Sequence, residues 1–375
     1  MQLLDSSRLN PSLDLLPDRL KASLEDIIHH VQVESDFCIR HPDYEPLQLP
    51  PEIIQRFQQL PSHLQQKYLS LQLQSFLYGI YYNGSLQTTL APGNQANDLA
   101  LHQNLENNTF LGVDMTFYEQ LHDSNCGEGY FSPDWLIVRE ESDGSLAVHK
   151  GGLTLHIDRQ LHLHSDTPST QMGETVAIRL PKNLVQNGFY MAVGNAGANH
   201  PHADADRPIE IVRIYFNLSP EGAVAVMNSL TQQLNHLSLP FSFKALYNPS
   251  DYGRYDSAVL YFDKRDYDSI LPVLQTIYSE HRSHFRTETP LFTKFLAPGL
   301  ALAEEPNSKF AEQESFGTHR CQIVANGLLE AKQQEDESPE ARINAILNQF
   351  ALLGIELQHS YLNADSEDVY SPLSL

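Results

Sequence analysis

Five basic side chains stand inside or beside apolar runs of an otherwise acidic chain. Arg213 lies in residues 209–218 (IEIVRIYFNL), Lys244 ends 240–244 (PFSFK) and Arg254 precedes 257–262 (SAVLYF). Lys294 sits in 291–299 (LFTKFLAPG), and Arg320 follows His319 at the end of 315–320 (SFGTHR). A charge in an apolar strand is costly if left unpaired, so each cation is either neutralised by a carboxylate or kept for an anionic ligand. Glu210, Asp256, Glu304 and Glu314 are available to neutralise them one by one. Lys+Arg number 24 against 47 Asp+Glu, for a formal net charge of −23, and five cations in one section then read jointly as a local anion site working against the global field. Residues two apart on a strand share a face, so Arg213 and Tyr215 point the same way.

Other constellations carry less. His162-Leu163-His164 puts two imidazoles on one face of an extended segment, and His200-Pro201-His202 with Asp204 and Asp206 offers further ligands that zinc or manganese could use. Neither spacing matches a metal signature such as H-E-x-x-H, so these read as loop histidines and no metal is assigned. Gly194-Asn195-Ala196-Gly197 lacks a dinucleotide fingerprint or a P-loop lysine. No G-x-S-x-G elbow appears, no cysteine sits in a nucleophile motif, and the kinase Gly-rich loop, H-R-D and D-F-G elements are all missing.

The charge balance argues against nucleic acid as a partner, because affinity for phosphate backbones rests on Lys and Arg. No apolar run approaches the roughly 20 residues needed to span a bilayer, and Leu3-Leu4 lacks the basic flank of a signal peptide, so no membrane partner is expected. Cys38, Cys126 and Cys321 are odd in number and widely spaced, which reads as reduced thiols in a cytoplasmic protein.

The elements that must position the cations follow from periodicity. Residues 1–108 read as an N-terminal helical region and linker. Helical spacing runs over 20–33 and 50–82, broken at Pro61 and closed by Asn83-Gly84, and 95–108 reads as a loop. Residues 109–206 read as a β-rich section, with strands at 135–139, 175–180 and 189–193, a hairpin turning at Gly151-Gly152, and an irregular 194–206. Residues 207–333 alternate strand and helix. Strands at 209–218, 240–246 and 257–262 are interleaved with helices at 223–237, capped by Ser219-Pro220, and 267–284. An irregular stretch from Pro290 to Phe316 precedes a helix starting near Arg320, and 334–375 reads as an acidic linker and a helix over 340–361. The fold class is α+β, a sheet-based core covered by helices with an N-terminal helical region.

The run RIYFNLSPEGA…LTQQLN…PFSFKALYNPSDYGRYDSAVLYF…TKFLAPGLALAEEP…ESFGTHRC resembles the HopA-type type III effector family, whose non-effector members occur in bacterial peptide-modification clusters. The resemblance covers about 190–331 well and the N-terminal helices more loosely. That family is similar to phosphothreonine lyases and to the lyase units of lanthipeptide and thioamitide biosynthesis, which remove phosphate from phospho-Ser or phospho-Thr by β-elimination without a metal or organic cofactor.

That chemistry requires a base for the Cα proton and cations that offset charge on the neighbouring amide oxygen and the departing phosphate. In the lyases a lysine ending the second strand is the base, and the resemblance puts Lys244 in that role. It must then be neutral, a form that nearby cations such as Arg213 and Arg254 favour. Arg254 and Arg320 become phosphate ligands through the planar guanidinium fork, Arg213 a third phosphate or oxyanion contact, and Lys294 a stabiliser of the enolate-like intermediate. Where the effector lyases carry Lys-x-His with the histidine as general acid, this chain has Arg213-Ile214-Tyr215. The acid is then Tyr215 or His319, or dianionic phosphate leaves with arginine stabilisation alone; His319 has the unperturbed pKa nearest neutrality. The implied partners are a phosphorylated peptide or protein and a kinase-like protein that supplies it. The alternative is a non-catalytic phosphopeptide- or protein-binding module of the same fold, and the N-terminal helices serve either as a platform for a partner or leader peptide or as ordinary packing onto the lyase section.

Overall fold

The computed structural model describes residues 16–34, 37–93, 112–164, 170–200 and 209–374. Its first helix, α1 (Asp18–His30), buries Leu20, Leu24, Ile27 and Ile28 at helical spacing. The helical pattern read over 20–33 ends early, because β-branched Val31 and Val33 turn extended and enter a small antiparallel sheet of β1 (Gln32–Val33), β2 (Ile39–His41) and β3 (Tyr44–Leu47). Helices α2 (Pro51–Gln58) and α3 (Ser62–Leu77) are separated at Pro61, as the sequence predicts. α3 passes into a π-turn over Tyr78–Tyr82, closed by the Asn83 amide donating to the Tyr78 carbonyl at 3.0 Å. Gly84 follows at φ 74°, where a Cβ would lie 2.6 Å from the Tyr255 ring, so this turn accepts glycine alone. The segment 95–108 lies outside the described residues.

After α4 (Met115–Ser124), strands β4 (Tyr130–Glu140), β5 (Leu146–Lys150) and β6 (Leu153–Ile157), the one-turn α5 (Arg159–His162) and β7 (Thr175–Leu180) build a four-stranded sheet in the order β6-β5-β4-β7. It encloses its own cluster of Trp135, Ile137, Leu146, Val148, Ile157, Val176 and Ile178. His162 closes α5 rather than lying on an extended face with His164, because Asp158 caps that turn by accepting the amides of Gln160 and Leu161.

The next elements are β8 (Asn183–Gln186), β9 (Phe189–Val193), β10 (Ile211–Phe216), α6 (Pro220–His236), β11 (Ser242–Leu246), β12 (Ala258–Asp263), α7 (Tyr267–His281), β13 (Lys294–Ala297), β14 (Leu300–Glu304), α8 (Phe316–Gln333) and α9 (Pro339–Leu352). Seven strands form one antiparallel sheet in the order β13-β14-β10-β12-β11-β9-β8, and the fold is α+β. The stretch read as irregular from Pro290 holds the β13–β14 hairpin, which turns at Pro298-Gly299. The helix expected from Arg320 begins a turn earlier under a capping box of Ser315 and Thr318. The last helix stops at Leu352, not at 361, because Gly354 takes φ 66° and its successor Ile355 donates back to the Phe350 carbonyl at 3.1 Å.

Register sorts the sheet into two faces. Ala192, Phe243, Leu260, Ile214 and Leu302 lie in one cross-strand row and are fully buried. Phe216, on the same face, meets Phe285 beyond α7, and α6 packs on α7 there. On the opposite face, Leu184, Met191, Lys244, Val259, Tyr215 and Ala301 form one row, with Val193, Ser242, Tyr261, Arg213 and Ala303 in the next. The π-turn and α8 cover the β10 end of that face, placing Tyr82 and Phe316 at 6.4 and 6.3 Å from Tyr215, ring to ring. The main hydrophobic cluster runs without interruption from Leu16 to Leu373, so the N-terminal helices share the core of the sheet. Among the described residues no helix is long and apolar enough to cross a membrane.

Two features fasten the N-terminal helices to the sheet. α8 approaches the π-turn so closely that a Cβ on Gly317 would lie 2.3 Å from the Tyr82 ring. Asp256, just before β12 and 5% exposed, accepts from Arg254 Nε at 2.7 Å and Nη2 at 2.9 Å, Tyr78 Oη at 3.1 Å and Asn83 Nδ2 at 3.2 Å. Burial alone would raise this carboxyl's pKa, but the Arg254 charge and the donated hydrogen bonds outweigh it and hold the group below its ordinary value.

Gly317→Ala is expected to cost about 1–3 kcal/mol, read as a lower urea midpoint with unchanged slope; an unshifted midpoint would mean that the tyrosines retreat freely. Asp256→Asn is expected to cost about 3–5 kcal/mol near neutrality. The native carboxyl titrates below the unfolded value of about 3.9, so its contribution is complete above that value and fades as pH falls through the lower folded one. Urea titrations of both proteins should show their stability gap narrowing below about pH 4, and a gap that does not change with pH would contradict the assignment.

Candidate functional site

The alternation of 240–244 turns Phe241 and Phe243 into the core, both fully buried, and leaves Ser242 and Lys244 on the other face. Lys244 is half-buried at the middle of β11. Its Nζ lies 4.3 Å from the centroid of the Phe189 ring and 5.4 Å from that of Tyr261. Among the described residues it makes no ion pair and no hydrogen bond; its nearest partners are the two ring faces, and the Asp256 carboxylate interacts with it at longer range. The same two rings carry the neighbouring guanidinium groups, with Arg213 Cζ 5.0 Å from the Tyr261 centroid and Arg254 Cζ 5.7 Å from that of Phe189. Lys244 thus shares one aromatic ring with each arginine.

Both arginines are tied on one side. Arg213, 8% exposed, binds Glu305 through Nε and Nη2, and Glu305 also meets Lys309 at 2.5 Å. Burial opposes the Arg213 charge, but the Tyr261 and Tyr215 hydroxyls and the Glu305 carboxylate more than offset it, so its pKa lies above the ordinary value. Arg254 commits Nε and Nη2 to Asp256 and leaves Nη1 without a partner among the described residues. Burial again opposes the charge, and Asp256 prevails, keeping Arg254 cationic.

Tyr215 lies two strands from Lys244 in the same row, with Val259 between, a backbone separation of about 10 Å that two long side chains can close. Its hydroxyl is buried beside Tyr82 and Arg213 and makes no hydrogen bond of normal geometry. Burial raises its pKa although Arg213 pulls the other way, so the phenol stays protonated and holds its proton more tightly than a free tyrosine.

Lys244, Arg213, Arg254 and Tyr215 therefore gather on one side of the sheet; Lys294, His319 and Arg320 do not join them in the expected roles. Lys294 pairs in register with Leu302, on the Ile214 face, and is held by Asp368 at 2.6 Å and Tyr361 Oη at 3.3 Å. Arg320 is fully buried and donates Nε to the Ser360 carbonyl at 2.7 Å and Nη2 to the Leu362 carbonyl at 2.9 Å, while Nη1 faces His319 Nδ1 at 2.6 Å. All three guanidinium nitrogens serve the C-terminal tail and its neighbour, leaving none for a phosphate. His319 is 2% exposed, and burial together with the Arg320 charge pushes its pKa down to about 3, so it is a neutral imidazole where a general acid would need its proton.

Phe189, Tyr261, Tyr78, Asn83 and Glu305 also line or support this face, and none of them stands out in the sequence as a site residue. Alternation in 257–262 puts Tyr261 and Val259 on one face, but nothing local says that Arg213 and Lys244 flank it. Of the loop histidines, His200 pairs with Asp266 at 2.7 Å, while His202, Asp204 and Asp206 lie outside the described residues. One trio among the described residues has its ligand atoms within 4.8 Å of one another, Asp26, His30 and His41. The Asp43 amide donates to His41 Nδ1 at 3.1 Å, which assigns the ring proton to Nε2, pointing at Asp26. That nitrogen is a donor to a carboxylate, and the trio is a hydrogen-bond network completed by Tyr81 Oη at 2.7 Å from Asp26.

Comparison with known proteins places this geometry in context. No curated protein matches the chain. Two solved effector proteins, from Pseudomonas syringae pv. tomato strain DC3000 and Pseudomonas syringae pv. syringae strain 61, are similar over 67% of this chain and 81% of theirs, at 15% identity and TM-scores of 0.39 and 0.38. Residues 180–362, which contain all of the cations considered above, match the family model of the HopA1 effector protein family.

Proposed function

We propose that this chain is a phospho-Ser/Thr lyase, eliminating phosphate from a phosphorylated peptide or protein to leave dehydroalanine or dehydrobutyrine, in a peptide-modification setting where a kinase-like protein supplies the substrate. The observation that carries the reading is the Lys244 amine, which among the described residues makes no direct ion pair, feels the Asp256 carboxylate only at longer range, and shares one ring with Arg213 and another with Arg254. In this reading the free amine of Lys244 takes the Cα proton, the electron pair forms the Cα–Cβ double bond, and the Cβ–O bond breaks with its electrons leaving on phosphate. Arg254, through Nη1, and Arg213 offset charge on the phosphoryl group and the amide oxygen. Tyr215, a protonated phenol beside Arg213, delivers a proton to the leaving oxygen.

One specific observation favours the non-catalytic phosphopeptide-binding reading: both arginines are already neutralised by carboxylates, and His319 holds no acidic proton. Such a site suits reversible anion capture as well as catalysis.

Incubation of the full chain with a phosphothreonine peptide, followed by mass spectrometry, separates the readings. The lyase product has lost the elements of phosphoric acid; a phosphatase product retains the hydroxyl and is heavier by one water; a binding module returns the peptide unchanged. Lys244→Arg keeps the positive charge without a readily released proton, so turnover should fall at least about 100-fold while peptide affinity stays within a few-fold. Full turnover in this variant would remove Lys244 as the base.

A further inference from the structure

The N-terminal helices reach the site through the Asp256 carboxylate, and two of its four hydrogen bonds come from them. Tyr78 Oη and Asn83 Nδ2 fill the acceptor positions that Arg254 leaves open. Both sit at the π-turn, where the helix departs from regular geometry, a feature often associated with functional sites. The Tyr78 ring is locked by stacking on Tyr82 at 5.0 Å and 24°, and Tyr82 is held in turn against Gly317 of α8. Tyr78 Oη also lies 3.5 Å from Arg254 Nη2, so it touches both members of the ion pair.

This arrangement sets the orientation of Arg254. A carboxylate with free acceptor positions could swivel and take the guanidinium with it. With those positions filled, Nε and Nη2 have one stable seat, and Nη1 is the group left over, on a guanidinium that shares the Phe189 ring with Lys244. Tyr78 and Asn83 lie outside residues 180–362, so the matched segment does not by itself contain everything that orients its own cation.

We propose that Tyr78 is a positioning residue of the anion site, acting through Asp256 to present Nη1 of Arg254 to a bound phosphoryl group, with Asn83 as its second support. The proposal rests on the reading of this face as a phosphoryl site.

The test uses the full chain carrying Tyr78→Phe, which removes one hydroxyl and keeps the ring stack, and Asn83→Ala as the second variant. Phosphothreonine-peptide affinity should weaken about fivefold in each, with affinity for the unphosphorylated peptide unchanged. Loss of stability alone would lower the active fraction and leave affinity unmoved. The Arg254 Nε–H signal in proton–nitrogen spectra, assigned by its disappearance in Arg254→Lys, should be slowly exchanging in the wild type and shifted or broadened in both variants. Unaltered affinity with an unaltered Arg254 signal overturns the positioning role. If the wild-type chain fails to bind the phosphopeptide, the lyase reading falls, and the Arg254 signal alone then decides whether Tyr78 orients that guanidinium.

Discussion

A carboxylate almost sealed from water must have its acceptor positions filled, and Asp256 meets that demand with groups from two separate stretches of chain, the π-turn and the loop before β12. Leaving such a charge unpaired would cost more than most of the surrounding contacts contribute. The π-turn and the loop before β12 are therefore obliged to assemble together. Arg254 acquires its orientation from this, and the N-terminal helices become part of the sheet's own core rather than an appendage.

The cations of the apolar runs illustrate how many ways a charge can be stabilised in an acidic protein. Arg213 is matched by Glu305 and Lys294 by Asp368, while Arg320, with no direct ion pair among the described residues, places two nitrogens of its planar fork on main-chain carbonyls and the third on His319. Lys244 differs from all of them, because among the described residues the groups nearest its Nζ are ring faces and the Asp256 carboxylate acts on it only at longer range. Aromatic faces attract a cation weakly and leave its donors unsatisfied, so an incoming anion meets no carboxylate that it must first displace from this residue.

The opposite end of the sheet shows the same logic applied to structure. Glu304, 2% exposed, accepts at Oε1 from Lys264 at 2.8 Å, Ser366 Oγ at 2.7 Å and Tyr370 Oη at 2.9 Å, and at Oε2 from the Asn363 amide at 2.9 Å. One buried carboxylate thereby fastens the C-terminal tail across β14, and Arg320 clamps the same tail from α8. Such buried polar nodes, one at each end, define where the sheet ends meet their coverings, while the apolar rows between them supply the bulk of the driving force.

Patterns that are local in the chain were legible from the sequence. The strands at 175–180 and 189–193, the helix break at Pro61, the Ser219-Pro220 cap and the Gly151-Gly152 hairpin depend on neighbours a few residues apart, and the α+β class follows from their sum. The five cations in apolar runs, Arg213, Lys244, Arg254, Lys294 and Arg320, were visible as well, since a charge in an apolar run needs no coordinates to be noticed, but the reading that all five form one site was not borne out by their placement. Which charge answers which was decided only by tertiary structure. Arg213 meets Glu305 across 92 residues and Tyr78 meets Asp256 across 178, distances over which register, face and helix docking choose the partner. Arg320 and Lys294 carry the same sequence signal as Lys244, and only the fold could turn one into a clamp on backbone carbonyls, set another on the far face, and leave the third without a direct ion pair among the described residues.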